Sequence, residues 1–175
     1  MVKSDKITVF DIALVAILTA LLFAQEQLLT NIPGVQLTVF LIILYSKVLG
    51  LTKTSIIVII HVLLDNIFIS SVSLVYTPTM LVGWLLIPIT INTIFKKANL
   101  ALELALLAIL YSLIYSWLFV IPTYFILNVN PVHYIMSDIL FEIILASFSF
   151  LTTLWLYEPC SKAMRQFLGN KTVNK

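Results

Sequence analysis

Long apolar runs separated by short polar breaks make up most of this chain. A bilayer core of about 30 Å requires about 20 apolar residues in a helix, and most of the runs approach or exceed that length. They lack the short alternating segments of a membrane β-barrel, so the pattern predicts six transmembrane helices. The predicted helices cover residues 11–29, 35–51, 54–75, 80–95, 100–127 and 132–157.

The composition argues against a soluble domain. Of the 175 residues, 61% are hydrophobic and only 10% are charged, and the mean hydropathy is +1.10. Globular domains are nearer half apolar and a quarter charged, and a chain this short cannot bury such an excess in a core. We therefore expect a single all-α membrane domain over residues 1–175, with lipid as the solvent of its apolar surface.

The basic residues predict the orientation of the helices. If the N-terminus is inside and six helices cross the membrane, every Lys and Arg falls on the cytoplasmic side, as the positive-inside rule requires. Both termini are then cytoplasmic, and we expect a multi-pass protein of the cell membrane. The ten basic residues are Lys3, Lys6, Lys47, Lys53, Lys96, Lys97, Lys162, Arg165, Lys171 and Lys175.

Four acidic residues fall between the membrane midplane and the outer side, where no Lys or Arg is expected. They are Glu26, Asp65, Asp138 and Glu142. An ionisable group inside a bilayer is costly and marks a functional site by default. An anionic ligand would want an Arg or Lys clamp, so we expect a cationic or neutral ligand. The alternative is that these acids are protonated and bond neighbouring helices.

Aromatic and amide side chains complete the predicted substrate site. His61 and Asp65 share a face of the third predicted helix, with Asn66 about 100° further round. Trp84 and Tyr115 supply the rings that a planar heterocycle needs, although interfacial belts and helix packing explain such rings equally well. The predicted substrate-binding residues are Asp65, Asn66, Trp84, Tyr115, Asp138 and Glu142.

Small residues form a ridge on the first predicted helix. Ala16, Ala20 and Ala24 are spaced four apart, and such ridges let two helices approach closely in lipid. We therefore interpret them as a docking surface for another protein. The alternative is that alanine is simply a good helix former.

Together, six helices, the alanine ridge and two short segments resemble a known family. The segments are Asn31-Ile32-Pro33-Gly34-Val35-Gln36-Leu37 in the first outer loop and Leu156-Tyr157-Glu158-Pro159 before the basic tail. The chain is similar to the substrate-binding S-component of an energy-coupling factor (ECF) vitamin transporter. The resemblance covers the whole chain.

The resemblance implies partners, a docking motif and a gate. The partners are a membrane coupling subunit and two cytoplasmic ATPases, and the S-component binds its vitamin near the outer face and topples to release it. The docking motif corresponds to Ala16 with Ala20, or to Ala20 with Ala24. The gating loop corresponds to residues 27–36, with Asn31, Pro33 and Gln36 as its candidate residues.

The chain lacks the sequence motifs of an enzyme or an ATP motor. It has no glycine-rich phosphate loop, no HExxH, no CxxC and no GxSxG, so we expect no catalytic activity, cofactor or metal site. Two other functions stay open: a membrane scaffold resembling the morphogenesis protein MreD, and a stand-alone proton-coupled carrier using Asp65, Glu142 and His61. No binding of nucleic acid is expected.

Overall fold

The computed structural model describes residues 8–68 and 72–172, and all regular structure in these residues is helical. This confirms the predicted all-α class. Lys3, Lys6, Lys175 and residues 69–71 of the third predicted helix lie outside the described residues. The helices are α1 (Val9–Leu29), α2 (Thr38–Phe68), α3 (Tyr76–Asn92), α4 (Ala101–Leu118), α5 (Val120–Leu127) and α6 (Pro131–Thr172).

Four helical segments among the described residues are long and apolar enough to cross a membrane. They are Val9–Leu29, Thr38–Phe68, Ala101–Leu127 and Pro131–Gly169. Large apolar side chains are exposed along all of them, as lipid contact requires. The structure therefore has the length and composition of a helical membrane protein, while the count of six spans and the sidedness stay predictions.

The chain reverses direction inside α2, at Gly50. Near the end of α1, Gln25 Nε2 donates to Thr38 Oγ1 at 2.9 Å and Glu26 Oε2 lies 3.1 Å from His61 Nε2. A straight helix would separate residues 38 and 61 by about 35 Å, so neighbouring residues of α1 could not reach both. Gly50 has φ 80° and ψ −175°, a conformation that is essentially restricted to glycine. The second and third predicted helices are therefore the two halves of α2.

A second break separates α4 from α5 at Phe119. Pro122 has no N–H to donate to Leu118 O, the carbonyl four residues earlier, and at the break the Phe119 amide forms a tighter turn by donating to Ser116 O at 3.1 Å. The fifth predicted helix, 100–127, thus consists of two segments that together form one apolar span.

Several predicted helix ends were wrong, and α6 differs most. It continues through Pro159 to Thr172 instead of ending at 157. Packing beyond the proline outweighs the lost backbone hydrogen bond, because Arg165 Nη2 donates to Lys47 O at 3.0 Å and Leu168 packs against the core.

Two shifts occur nearer the start of the chain. α2 begins at Thr38 rather than at 35, and α3 begins at Tyr76 rather than at 80, while residues 72–75 are not helical. Pro78 fits because it lies in the first turn of α3, where a missing N–H costs nothing.

The core fills the space between the helices, and the bundle has two chemically different ends. Buried side chains include Leu22, Ile42, Ile57, Trp84 and Leu104. At one end, Lys47 Nζ donates to Phe95 O at 3.3 Å and Lys96 O at 3.2 Å, and Lys53 pairs with Asp11. The same end holds Arg165, so the basic residues gather there, whereas Glu26 and Asp65 lie in the opposite half.

Candidate functional site

A cavity of about 250 Å³ lies beneath the loop that joins α1 to α2. Residues 29–36, which comprise the last residue of α1 and the loop after it, form one wall, and the other walls are single side chains from five helices. These side chains are Glu26 of α1, Asp65 of α2, Met80 of α3, Tyr115 of α4 and Phe141 of α6. Among the described residues, no Lys or Arg lines this cavity.

The two carboxyl groups in the wall are poorly satisfied by the protein. Asp65 is only 7% exposed, and no hydrogen bond within the described part of the chain reaches its carboxyl group. Glu26 Oε2 lies 3.1 Å from His61 Nε2, which is the separation of an ion pair, but the orientation is not that of a hydrogen bond. A buried and a half-buried acid in this state favour a positive or hydrogen-bond-donating partner in the cavity.

An aromatic pair forms the wall between α3 and α4. The rings of Trp84 and Tyr115 stack with centroids 3.8 Å apart and planes at 21°. Gly83 makes room for them, since a Cβ there would lie 2.8 Å from Tyr115 Cδ2. Trp84 is buried and its Nε1 has no partner among the described residues, while Tyr115 lines the cavity. The cavity thus has an aromatic side as well as an acidic one.

The loop over the cavity is held at two points. Gln25 receives the Leu37 amide at 2.8 Å through its Oε1 and donates to Thr38 Oγ1 at 2.9 Å. Gly34 is buried with φ +77°, and a Cβ there would lie 3.1 Å from Phe141 O and from the Ile144 side chain. Close backbone approach therefore seats the loop on α6.

The residues predicted for the gating loop occupy different positions. Pro33 and Gln36 line the cavity, whereas Asn31 is exposed and does not.

The structure does not bring Asp138 and Glu142 to this cavity. Ser116 Oγ lies 2.8 Å from Asp138 Oδ2 and 3.0 Å from Glu142 Oε1. A hydroxyl has one proton and can donate to only one of these acids at a time. Glu142 also lines a separate groove of about 510 Å³ between α4 and α6.

Asn66, another predicted binding residue, joins two helices. Its amide donates to Val62 O at 2.8 Å and its Oδ1 accepts from Thr77 Oγ1 at 2.6 Å, while Met80 Sδ lies 3.5 Å from its Nδ2. These contacts tie α2 to the start of α3, and Asn66 does not line the cavity. Of the predicted substrate set, the cavity wall contains Asp65 and Tyr115, with Trp84 directly behind.

The alanine ridge lies on the outside of the bundle. Ala16, Ala20 and Ala24 are all exposed, whereas Leu18 and Leu22 form the buried side of α1. The ridge is therefore not used for packing within the described chain.

Sequence reasoning left Glu26 and Phe141 out of the candidate binding set. Glu26 carried a detectable signal, because it is an acid at the outer end of the first apolar run, directly before the predicted gating loop. Phe141 carried none, since one phenylalanine in an apolar run resembles any other.

No protein-family profile, curated protein or solved structure matches the chain.

Proposed function

We propose that this chain is the membrane-embedded, substrate-binding subunit of an ECF-type ATP-driven importer, and that it captures a small vitamin-like heterocycle. The observation that supports this most strongly is the cavity beneath the α1–α2 loop. It combines the buried carboxyl group of Asp65, the half-buried carboxyl group of Glu26, an aromatic wall and a loop that covers it. Such a combination of apolar walls and a few convergent polar groups is typical of small-molecule sites.

The distribution of charge supports the direction of uptake. Lys47, Lys53 and Arg165 gather at the end opposite the cavity, and basic ends face the cytoplasm. In the proposed orientation both termini are cytoplasmic, six helical segments cross the cell membrane, and the cavity lies towards the outside. A ligand would enter when residues 29–36, which cover the cavity, move away from it.

The size and lining of the cavity narrow the ligand class. Its volume of about 250 Å³ is below the roughly 300–1,000 Å³ of sites for drug-sized molecules. A compound with one ring fits this space better than a large vitamin. Acidic lining without Lys or Arg among the described residues favours a cationic or neutral compound over an anionic one.

Energy and release must come from other subunits in this proposal. The sequence has no phosphate-binding loop, so two cytoplasmic ATPases and a membrane coupling subunit would supply ATP hydrolysis. The exposed ridge of Ala16, Ala20 and Ala24 would be the surface on which the coupling subunit docks, because small residues permit close approach of a second helix.

The test of binding is to identify what the purified protein carries. The full chain is isolated in mild detergent, washed, and heated to release bound molecules for mass spectrometry. We expect one small compound at a near-stoichiometric ratio to the protein. The Asp65→Asn variant should retain this compound at lower occupancy, whereas the control variant Glu158→Gln, at the opposite end of the bundle, should retain it fully. If the purified protein retains no compound and none binds again when it is added back, the scaffold function is favoured instead.

The test of orientation uses single cysteines. Cys160→Ser removes the one natural cysteine, and Asn31→Cys, Asn128→Cys and Lys97→Cys are then labelled in intact cells with an impermeant maleimide. We expect labelling from outside at 31 and 128 and only from inside at 97. Any reversal would refute the six-span orientation.

A further inference from the structure

We infer that Glu26 and Asp65 together bind the positively charged group of the ligand, and that His61 positions Glu26 for this contact. The inference rests on the proposed small-molecule-binding function and adds the charge partner and the charge of the ligand. Glu26 was not part of the substrate set expected from the sequence.

Glu26 and Asp65 both line the cavity, and each has a carboxyl oxygen that can accept a further hydrogen bond. Asp65 is 93% buried, since 7% of it is exposed, and it lines the cavity without a hydrogen bond from any described residue. The Glu26 side chain is 20% exposed and lines the same cavity. Two carboxyl groups facing one cavity repel each other when both are ionised, so a cation between them is favoured.

His61 does not line the cavity; it lies behind Glu26. It is completely buried, and neither ring nitrogen has a hydrogen-bond partner among the described residues. Its Nε2 lies 3.1 Å from Glu26 Oε2, so it can hold one oxygen of the carboxylate and leave the other for the ligand. A buried polar ring without another partner is costly, and the small adjustment that forms this hydrogen bond would accompany ligand binding.

The remaining lining describes the rest of the ligand. Tyr115 is supported from behind by Trp84, which provides a flat aromatic surface for a ring or a cation. The cavity of about 250 Å³ is far larger than the roughly 10–15 Å³ that a single water requires, and it is far larger than a bare metal ion needs. An organic cation with a single ring therefore fits this space and its lining best.

The test compares three probes that differ in charge and hardly in shape: benzylammonium, benzyl alcohol and benzoate. Each is titrated by calorimetry against the full chain in lipid nanodiscs. We expect benzylammonium to bind about tenfold to a hundredfold more tightly than benzyl alcohol, which is the effect of one charge-assisted contact, and benzoate to bind weakest. Equal or reversed affinities would overturn the charge assignment and leave a binding function standing, whereas no binding by any probe would overturn both.

Isosteric variants then locate the charge partner. Glu26→Gln and Asp65→Asn should each reduce the preference for benzylammonium over benzyl alcohol by about tenfold or more, while Glu158→Gln, an exposed acid at the opposite end, should not. Affinity for benzyl alcohol reports whether the cavity itself is intact in each variant. An unchanged preference in Glu26→Gln would refute the inference.

The positioning function of His61 has its own readout. His61→Gln places an amide nitrogen near the position of Nε2 and should retain most of the charge preference, whereas His61→Leu should lose it while still binding benzyl alcohol. Equal preferences in the two variants would show that His61 only fills space.

Discussion

Replacing Gly83 with alanine tests whether the aromatic wall of the cavity is as tightly packed as the structure indicates. A Cβ at this position would lie 2.8 Å from Tyr115 Cδ2 and 3.3 Å from Tyr115 Cε2. Ordinary contact begins at 3.4 Å, so the Tyr115 ring must move by about 0.6 Å, the difference between 3.4 and 2.8 Å. Since that ring stacks on Trp84 and lines the cavity, the shift changes the ligand surface without changing any charge.

Two opposing effects determine the change in stability. Alanine in place of glycine favours a helix by about 1 kcal/mol, whereas overpacking a well-packed core costs about 1–3 kcal/mol. Gly83→Ala should therefore lower the free energy of unfolding by about 0–2 kcal/mol. Gly169→Ala is the matched control, because it changes a helical glycine whose added Cβ meets nothing within 4 Å. It should be neutral or stabilising by up to about 1 kcal/mol.

The measurements are denaturant unfolding in micelles and the near-ultraviolet circular dichroism of the Trp84–Tyr115 pair, recorded with Trp117→Phe and Trp155→Phe to remove the other tryptophans. We expect the dichroism of the pair to change in Gly83→Ala and not in Gly169→Ala, and affinity for benzyl alcohol to fall only in the first variant. If both substitutions stabilise equally and leave the dichroism unchanged, the close contact between Gly83 and Tyr115 does not exist.

Three other tests, two of which include a control substitution, address separate parts of the structure. Ser116→Ala should destabilise the protein by about 1–3 kcal/mol, because the buried Glu142 and the half-buried Asp138 lose their hydroxyl partner. Ser112→Ala should cost less, since among the described residues the Ser112 hydroxyl bonds only within its own helix, and equal losses in unfolding experiments would contradict this. Gly34→Ala and Gly50→Ala should each cost about 1–3 kcal/mol, because both place alanine at a positive φ. Only Gly34→Ala should speed hydrogen exchange in the loop over the cavity, since only its added Cβ would contact α6. Ala20→Trp should abolish transport by the complete importer and leave ligand binding by the isolated chain intact; parallel loss of both would assign the ridge to internal packing.

The hydrophobic pattern predicted where helices occur, because burial of backbone polar groups in an apolar environment leaves few alternatives to a helix. It could not predict their ends. The turn at Gly50 needs one residue in a glycine-only conformation, whereas the predicted helices ended at 51 and began again at 54. The helix continues past Pro159 because contacts such as Arg165 with Lys47 connect residues far apart in the chain.

The candidate site was predictable only in part, for the same reason. Asp65 and Tyr115 stood out as a buried acid and an aromatic residue in apolar runs, and both line the cavity. Asp138 and Glu142 had the same signal, yet Ser116 accounts for them in the structure. The contact between Glu26 and His61 joins residues that are 35 positions apart in the sequence. No local sequence pattern predicts a contact between residues so far apart.

The length of α6 has a mechanical consequence. Its 42 residues extend about 63 Å at 1.5 Å per residue, roughly twice the thickness of a bilayer core. Near its start, α6 touches the loop above the cavity through Phe141. Arg165, which is 24 residues further along the same helix, holds Lys47. About 36 Å of one helix therefore separate the residue that touches the loop from the residue that holds the basic end. Because a single helix makes both contacts, the position of the loop over the cavity and the position of the basic end depend on the same structural element.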